Sequence, residues 1–450
     1  MPGHKRKRNV FFEEVSEMDI TEIRGYDNLH SPEGIIRESM DLLKHIYGTK
    51  ESWYLVNGST VGILAAIACV CRPGDKIVIA RNCHKAVYNV INLLRLQVFY
   101  IFPDIQEKYD IITDFGKKEW ESLREILKKE PEIRAVVVTS PTYEGVVADI
   151  KKIKYVIEKQ NPNIPLIVDE AHGAHMIFHS YFPKSAVECG ADLVIQSAHK
   201  TLPSLTQTAL LHLCTDLVEP SKIQNMLSIF ESSSPSYLLM ASAEYGVMYM
   251  NEERTKIQDY VDKLQNFRTK CGQLKHIRLL DRDNLGCYDY DRGKLVFSVK
   301  DANIQGKGLF DKLLNEYHIE LEMENLSYVI AMTSVMDEEK DYISLYNALK
   351  QIDNELREIG SMQKNGYVFA GKPEKVREPY ECENDTCERI SLLEAQDRIA
   401  AKAVMLYPPG IPLLVPGEKI VKEMVENISY YLYNGYNVLG LDHGEIVVLK

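Results

Sequence analysis

Leu166-Ile167-Val168-Asp169-Glu170-Ala171-His172 and Leu193-Val194-Ile195-Gln196-Ser197-Ala198-His199-Lys200 are the two stretches on which the fold turns. Each is a short apolar run that ends abruptly in polar residues. Continuous apolar runs of this length suit strands buried on both faces of a sheet. The first leaves a carboxylate, Asp169, at a strand end. The second leaves Lys200 thirty-one residues later. A lysine that can form a Schiff base and an anion that can hold a pyridine nitrogen protonated are what pyridoxal phosphate (PLP) chemistry requires. A lysine after an apolar run is common in α/β proteins, so the combination has to be tested against the rest of the chain.

Outward from these stretches the rhythm repeats. Lys76-Ile77-Val78-Ile79-Ala80, Val98-Phe99-Tyr100-Ile101-Phe102, Ala135-Val136-Val137-Val138-Thr139 and Ala209-Leu210-Leu211-His212-Leu213 are further apolar runs, separated by helix-like segments. This alternation predicts an α/β large domain with a mostly parallel, doubly wound sheet. Residues 237–265 read as one long helix. From about 270 the pattern changes to strands at 276–280, 294–299, 319–323 and 328–333, with helices at 306–316 and 336–358. That predicts a smaller C-terminal α+β domain. The stretch 361–390, rich in charge, Gly and Pro, reads as loop. The last 60 residues hold another helix and the runs Tyr407-Pro408-Pro409-Gly410-Ile411-Pro412 and Pro416-Gly417-Glu418. The expected division is an arm over 1–35, a cofactor-binding large domain over 36–265 and the small domain over 266–450.

A chain of 450 residues is too long for one ordinary core, which agrees with that division. The net charge, 53 − 65 = −12, argues against a general binder of nucleic acid or anionic membrane. The basic run Lys5-Arg6-Lys7-Arg8 reads as a solvated arm. No apolar segment approaches the roughly 20 residues that span a bilayer, and no secretory pattern follows the basic start. The nine cysteines are scattered, as in a reduced cytoplasmic protein. Cys382 and Cys387, in a polar stretch, are the one pair at which redox or metal chemistry is kept open.

Four constellations bear on chemistry. Asn57-Gly58-Ser59-Thr60 opens a helical run, where free N–H groups and hydroxyls can hold a phosphate; the ordinary reading is an N-cap. His84 follows the strand 76–80 and can stack on a flat ring there; a lone histidine is more often a cap. Asp169-Glu170-Ala171-His172-Gly173-Ala174-His175 places a carboxylate at the sheet edge, with a small Ala171 that lets a ring approach. Its histidines lack the H-E-x-x-H spacing of a zinc helix, so no metal is expected. In Ser197-Ala198-His199-Lys200 the first and third residues offer donors to a phosphate, and Lys200 offers the amine.

With those residues in place, the chain resembles the Orn/Lys/Arg decarboxylases, fold-type-I PLP enzymes, in their short form. The resemblance rests on Pro2-Gly3-His4-Lys5, Asp19-Ile20-Thr21-Glu22, Asn57-Gly58-Ser59-Thr60, Arg81-Asn82-Cys83-His84-Lys85, Ser140-Pro141-Thr142-Tyr143-Glu144-Gly145, the Asp169 and Lys200 motifs and the Tyr407–Pro412 run. The last is the most specific, since aminotransferases share the Asp and Lys but not this run. The resemblance implies that Lys200 binds the PLP aldehyde, Asp169 pairs with the ring nitrogen and His84 stacks on the ring. It implies phosphate contacts from Gly58, Ser59, Thr60, Ser197 and His199, with Ala171 against the ring. His172 is implied as a proton or carboxylate contact, and Glu322 and Glu418 as weaker candidates for the substrate. The chain begins inside the segment that usually precedes the first motif, so Met1 is a true start or an internal methionine. The glycine usual after that motif is replaced in the Arg6-Lys7 run, and the N-terminal wing domain of long members is absent.

The expected reaction is α-decarboxylation of arginine, lysine or ornithine to agmatine or a diamine, in polyamine-related metabolism, by at least a homodimer. One rival is a fold-type-I aminotransferase or another PLP-dependent lyase, which would need an arginine such as Arg377, Arg389 or Arg398 to clamp the α-carboxylate. The other is a catalytically silent scaffold.

Overall fold

The computed structural model describes residues 13–359, 372–406 and 410–450. Pro2-Gly3-His4-Lys5, the Lys5–Arg8 run and Tyr407-Pro408-Pro409 lie outside them. In chain order the main elements begin with α1 (Ile35–Tyr47), β1 (Glu51–Leu55), α2 (Gly58–Val70), β2 (Lys76–Ala80), α3 (Lys85–Leu94), β3 (Gln97–Ile101) and β4 (Ile133–Thr139). They continue with α4 (Ile150–Gln160), β5 (Leu166–Asp169), β6 (Leu193–Gln196), α5 (Ala198–Thr201), β7 (Ala209–Leu213), α6 (Pro220–Phe230), α7 (Tyr237–Glu252) and α8 (Arg254–Cys271). The remainder are β8 (Arg278–Leu279), β9 (Lys294–Ser298), α9 (Gly306–Tyr317), β10 (Met323–Glu324), β11 (Tyr328–Met332), α10 (Glu339–Glu355), β12 (Cys387–Ser391), α11 (Lys422–Tyr433) and β13 (Glu445–Leu449).

These elements pack into two units. The first gathers the chain up to Cys71, Ile150–Tyr260 and Ser334–Met336; the second gathers Arg72–Asp149, Val261–Thr333 and Asp337–Lys450.

In the first unit the strands run in the order β1-β7-β6-β5. β5 and β6 are parallel, with Asp169 opposite Ile195. β7 is antiparallel to both β6 and β1, which departs from the parallel continuation that its apolar run suggests. The cause is the connection. Between Gln196 and Ala209 there is only one helical turn, too little for the crossover that a parallel return needs. Fully buried Asp192 fixes the start of the parallel pair. It accepts the Leu166 N–H at 2.7 Å, the Lys154 ammonium at 2.6 Å and the Thr215 hydroxyl at 2.6 Å.

α1 is amphipathic, with Ile36, Met40, Leu43 and Tyr47 buried along one face, and Gly48 closes it in the left-handed conformation at φ 68°. Its first N–H groups are served from upstream: the Asp27 carboxylate accepts from Gly34 (2.8 Å) and Ile36 (3.0 Å). Within the described part of 1–35 lie a short helix at Glu13–Met18 and this Asp27 turn. α2 is apolar all round and lies close on the strands. A Cβ at Gly62 would stand 2.7 Å from Leu55 Cδ1 and 2.8 Å from Ile195 Cγ2. The expected helix over 237–265 is two helices, α7 and α8, broken at Glu253.

In the second unit β4-β2-β3 are all parallel. The pairs β5-β6, β2-β3 and β2-β4 thus have the expected parallel sense, and the antiparallel exceptions both involve β7. A separate antiparallel sheet, β8-β9-β11-β10, carries α9 and α10, as the change of rhythm after 270 predicted. Part of the expected 361–390 loop departs from that reading. β12 starts at Cys387 and pairs antiparallel with β13. Its mostly polar sequence, Cys-Glu-Arg-Ile-Ser, hides a strand whose partner lies some sixty residues on. α11 packs Met424, Ile428 and Tyr431 into the C-terminal core. Among the described residues no helix is long and apolar enough to cross a membrane.

Candidate active site

Two parallel strands bring the opening stretches side by side. Asp169, the last residue of β5, is 3% exposed, and its Oδ1 accepts the Ala171 N–H at 3.2 Å. Burial raises its pKa, while the nearby Lys200 charge and the Ala171 bond pull it back. Lys200 sits on the single turn of α5 that follows β6. Its Nζ is 3.0 Å from His172 Nε2. A charged lysine has only donors, so His172 accepts through Nε2; a neutral lysine could take the hydrogen instead. Either partner of this 3.0 Å contact can supply the hydrogen, according to the protonation state of Lys200.

Beside it lies the start of α2. α2 begins without a side-chain cap, because the Asn57 Oδ1 takes the Ser232 N–H at 3.1 Å instead. Gly58 has φ +76°, which favours glycine, and a Cβ there would meet nothing nearer than the Gln207 oxygen at 4.0 Å. The Ser197 hydroxyl donates to Ser59 Oγ at 2.9 Å, leaving the Ser59 hydrogen for another acceptor. Thr60 is exposed in the first turn. His199 Nδ1 lies 2.8 Å from the Thr208 carbonyl, so Nδ1 carries the hydrogen. Burial lowers the His199 pKa, with the Thr208 bond acting against it.

Behind the Asp169 turn runs a buried polar chain that sequence reasoning passed over. Glu170, 2% exposed, accepts the Ser185 hydroxyl (2.5 Å), the Ala186 N–H (2.7 Å) and the Gln196 amide (2.6 Å). Burial pushes its pKa up to about 7 against those three bonds. With the Gln196 NH₂ on Glu170, its oxygen faces His212 Nε2 at 3.2 Å, and His212 Nδ1 meets Ser52 Oγ at 2.8 Å. Burial drops the His212 pKa to about 3, so the ring is neutral. Its single hydrogen is then on Nε2, and Ser52 donates to Nδ1. The signal for this chain was local: a second carboxylate directly after a buried strand end must find donors inside.

The other expected site residues lie in the second unit. His84 caps α3, its Nδ1 accepting the Ala86 N–H at 3.2 Å. Exposed Glu322 accepts the Tyr143 hydroxyl. Glu418 departs from the expected substrate contact. It has no exposure, and its two oxygens grip Arg81, Oε1 to Nε at 2.9 Å and Oε2 to Nη2 at 2.8 Å. Its oxygens are engaged by Arg81 and the Val415 N–H, out of contact with solvent. Arg377, Arg389 and Arg398 are each already paired, with Asp385, Asp442 and Glu388. Cys382 is buried and Cys387 exposed, and their thiols point at the carbonyls of Glu378 (3.8 Å) and Asp385 (3.2 Å). Among the described residues no three His, Cys, Asp or Glu side chains are grouped to hold a metal.

Residues 2–303 match the family model of the Orn/Lys/Arg decarboxylase major domain, and residues 363–435 that of the Orn/Lys/Arg decarboxylase C-terminal domain. The chain belongs to the Orn/Lys/Arg decarboxylase family. The decarboxylase is 33% identical to an arginine decarboxylase of Bacillus subtilis over 446 residues, covering 96% of this chain and 89% of that one. Its fold matches the lysine decarboxylase LdcF of Francisella novicida with a TM-score of 0.84 at 19% identity, over 100% of this chain and 78% of that one. The constitutive lysine decarboxylase of Escherichia coli matches at 0.82 and 18%, over 100% and 79%. The fold is therefore fold-type I, and the decarboxylase acts on basic amino acids.

Family membership implies PLP. The first unit suits that group chemically. Asp169 is a buried anion with one N–H donor, fit for a protonated ring nitrogen. Lys200 is an amine with a proton partner at 3.0 Å. The uncapped start of α2, the open space over Gly58 and the Ser59–Ser197 hydroxyls make a place for a phosphate. Gln207 and Thr208, whose carbonyls hold Gly58 and His199, shape that place and carried no signal in the sequence.

Proposed function

We propose that the decarboxylase removes the α-carboxylate of arginine or lysine as carbon dioxide, with ornithine a third candidate, giving agmatine or a diamine. Support for placing arginine first comes from the higher identity to the arginine decarboxylase. We assign Lys200 to the PLP aldehyde, Asp169 to the ring nitrogen and Ala171 to the ring's edge. Gly58, Ser59, Thr60, Ser197 and His199 are assigned to the phosphate. His84 is assigned to the ring face, and Glu322 to the substrate's far cation, by resemblance alone. A role in polyamine-related metabolism, a homodimer in the cytoplasm, and the division at residues 35 and 265 belong to the same proposal.

The observation that carries this reading is the Lys200–His172 contact beside buried Asp169. When bound, PLP supplies an electron sink that lets a carboxylate depart without its electrons. Asp169, shielded from water, keeps its charge fixed on the ring nitrogen, where an electrostatic partner acts most strongly. Lys200 gives its proton to His172 when it must act as an amine. It takes the proton back to deliver it to the carbon that has lost carbon dioxide. The Ser59 hydroxyl and the N–H groups of α2 orient the phosphate end. His199, with Nδ1 held by Thr208, has Nε2 left for that end, and a phosphate there would favour its protonated form.

The test offers arginine, lysine and ornithine separately and measures carbon dioxide, alongside an absorption spectrum before and after borohydride. The wild type should trap the cofactor covalently and release carbon dioxide from at least one substrate. Lys200→Ala should trap none and lose at least about 1,000-fold in rate, the scale expected of a nucleophile and its proton function together. Unchanged trapping in Lys200→Ala, or a keto acid in place of carbon dioxide, would refute the assignment.

A further inference from the structure

A cavity of about 360 Å³ opens in the first unit between α1 and α7, over β1. Its walls follow from helical spacing. Tyr237, Met240 and Glu244 fall at i, i+3 and i+7 and form one stripe of α7, while Ile36 and Ser39 face them from α1. The lining is otherwise aliphatic and aromatic, and Glu244 is its one carboxylate. That carboxylate is held in place. The Ser39 hydroxyl lies 2.7 Å from Glu244 Oε1 and 3.0 Å from the Tyr54 hydroxyl. Ser39 has one hydrogen. With it on Glu244, the buried Tyr54 donates to Ser39, and the chain aims an acceptor into the cavity. Among the described residues Glu244 has this hydroxyl partner and no cation. With one oxygen on the Ser39 hydroxyl, the carboxylate keeps its other oxygen to accept from a cationic donor entering the apolar cavity.

We propose that this cavity binds a primary ammonium carried on a short unbranched aliphatic chain, with the ammonium on Glu244 and the methylenes along Ile36 and Met240. Such an amine is what a basic amino acid becomes on losing its carboxylate, so the cavity would sense the class of compound the enzyme makes. The proposal rests on Glu244 and its cavity and stands apart from the assignments around Lys200. One carboxylate in the lining suits one ammonium. A diamine must therefore keep its second charge at the mouth, and a monoamine should bind at least as well.

The test is calorimetric titration of the full chain, its PLP first fixed on Lys200 by borohydride so that the Lys200 site exchanges no amine, with n-butylamine, n-pentylamine, n-hexylamine, 1,5-diaminopentane and 1-pentanol. One saturable site per chain is expected. Each added methylene should tighten binding about fourfold, which is about 0.8 kcal/mol converted to a ratio. Both 1-pentanol on the wild type and n-pentylamine on Glu244→Gln should bind at least about 10-fold more weakly, with substrate turnover by that variant unchanged. Ala241→Phe, which fills the cavity from α7, should abolish amine binding while the protein melts as before. The proposal is overturned by no saturable binding, by equal affinity in Glu244→Gln, or by amine binding that saturating substrate removes. It is also overturned if Glu244→Gln changes only the sedimentation of the protein, which would make this face a contact between copies.

Discussion

Replacing Glu418 by glutamine separates two roles that its sequence context allows, and the structure sets the size of the effect. Arg81, just past the end of β2, has no exposure. Besides its two bonds to Glu418 it donates to the Pro412 carbonyl at 2.7 Å and reaches Tyr88 Oη at 3.3 Å. Glu418 Oε2 also accepts the Val415 N–H at 2.8 Å. The Pro416-Gly417-Glu418 turn that delivers it needs a glycine. Gly417 has φ +85°, and a Cβ there would stand 2.3 Å from the Arg377 oxygen. Glutamine keeps the shape but leaves the guanidinium buried without its anion and points an NH₂ at existing donors. Breaking a buried pair from one side costs about 3–5 kcal/mol. At roughly 2 °C per kcal/mol for a unit of this size, the Tm should fall by about 6–10 °C.

Differential scanning calorimetry measures that fall, and steady-state kinetics on the folded fraction should show KM nearly unchanged. The companion double replacement, Arg81→Met with Glu418→Met, should recover much of the loss, because it removes both buried charges at once. A Tm within about 2 °C of wild type together with a raised KM would refute the reasoning and return Glu418 to the substrate.

Three further outcomes follow from the first unit. Asp169→Asn keeps the shape at the end of β5 but loses the charge, so kcat should drop by about 100- to 1,000-fold while borohydride still traps the cofactor on Lys200. Glu170 holds its proton to about pH 7 when folded but only to about 4.5 when unfolded. Its stabilising contribution is therefore complete below about pH 4.5 and is lost as the pH rises toward 7. Glu170→Gln should flatten that part of the Tm–pH curve, and a curve unchanged in slope would show the carboxylate already ionised. Gly62→Ala forces Leu55 and Ile195 aside, costing about 1–3 kcal/mol in urea unfolding and weakening PLP binding, since it lifts the α2 start that faces the phosphate.

What the sequence discloses about this molecule and what it conceals divide along one physical line. Strand runs such as Leu166–Asp169 and Leu193–Gln196 are legible because burial on both faces is written into contiguous residues. The places of Asp169 at a strand end, of Lys200 on the turn after a strand and of Gly58-Ser59-Thr60 at a helix start were legible for a related reason: each lies among the first polar residues past an apolar run. The direction of β7 was not, because apolar content is the same for a parallel and an antiparallel strand. There the brevity of the 197–208 connection was the readable clue. The partners of polar groups were hardest. Glu170 and Glu418 are both carboxylates set beside motif residues, and charge suggested an exposed or substrate-facing group. Yet Glu170 is satisfied by Ser185, Ala186 and Gln196, and Glu418 by an arginine 337 residues away. A buried charge is tolerable only when donors from elsewhere in the fold converge on it, and that convergence is a property of tertiary proximity. Glu244 is the converse case. Among the described residues its partner is the Ser39 hydroxyl and no cation, a setting that its own sequence context does not write.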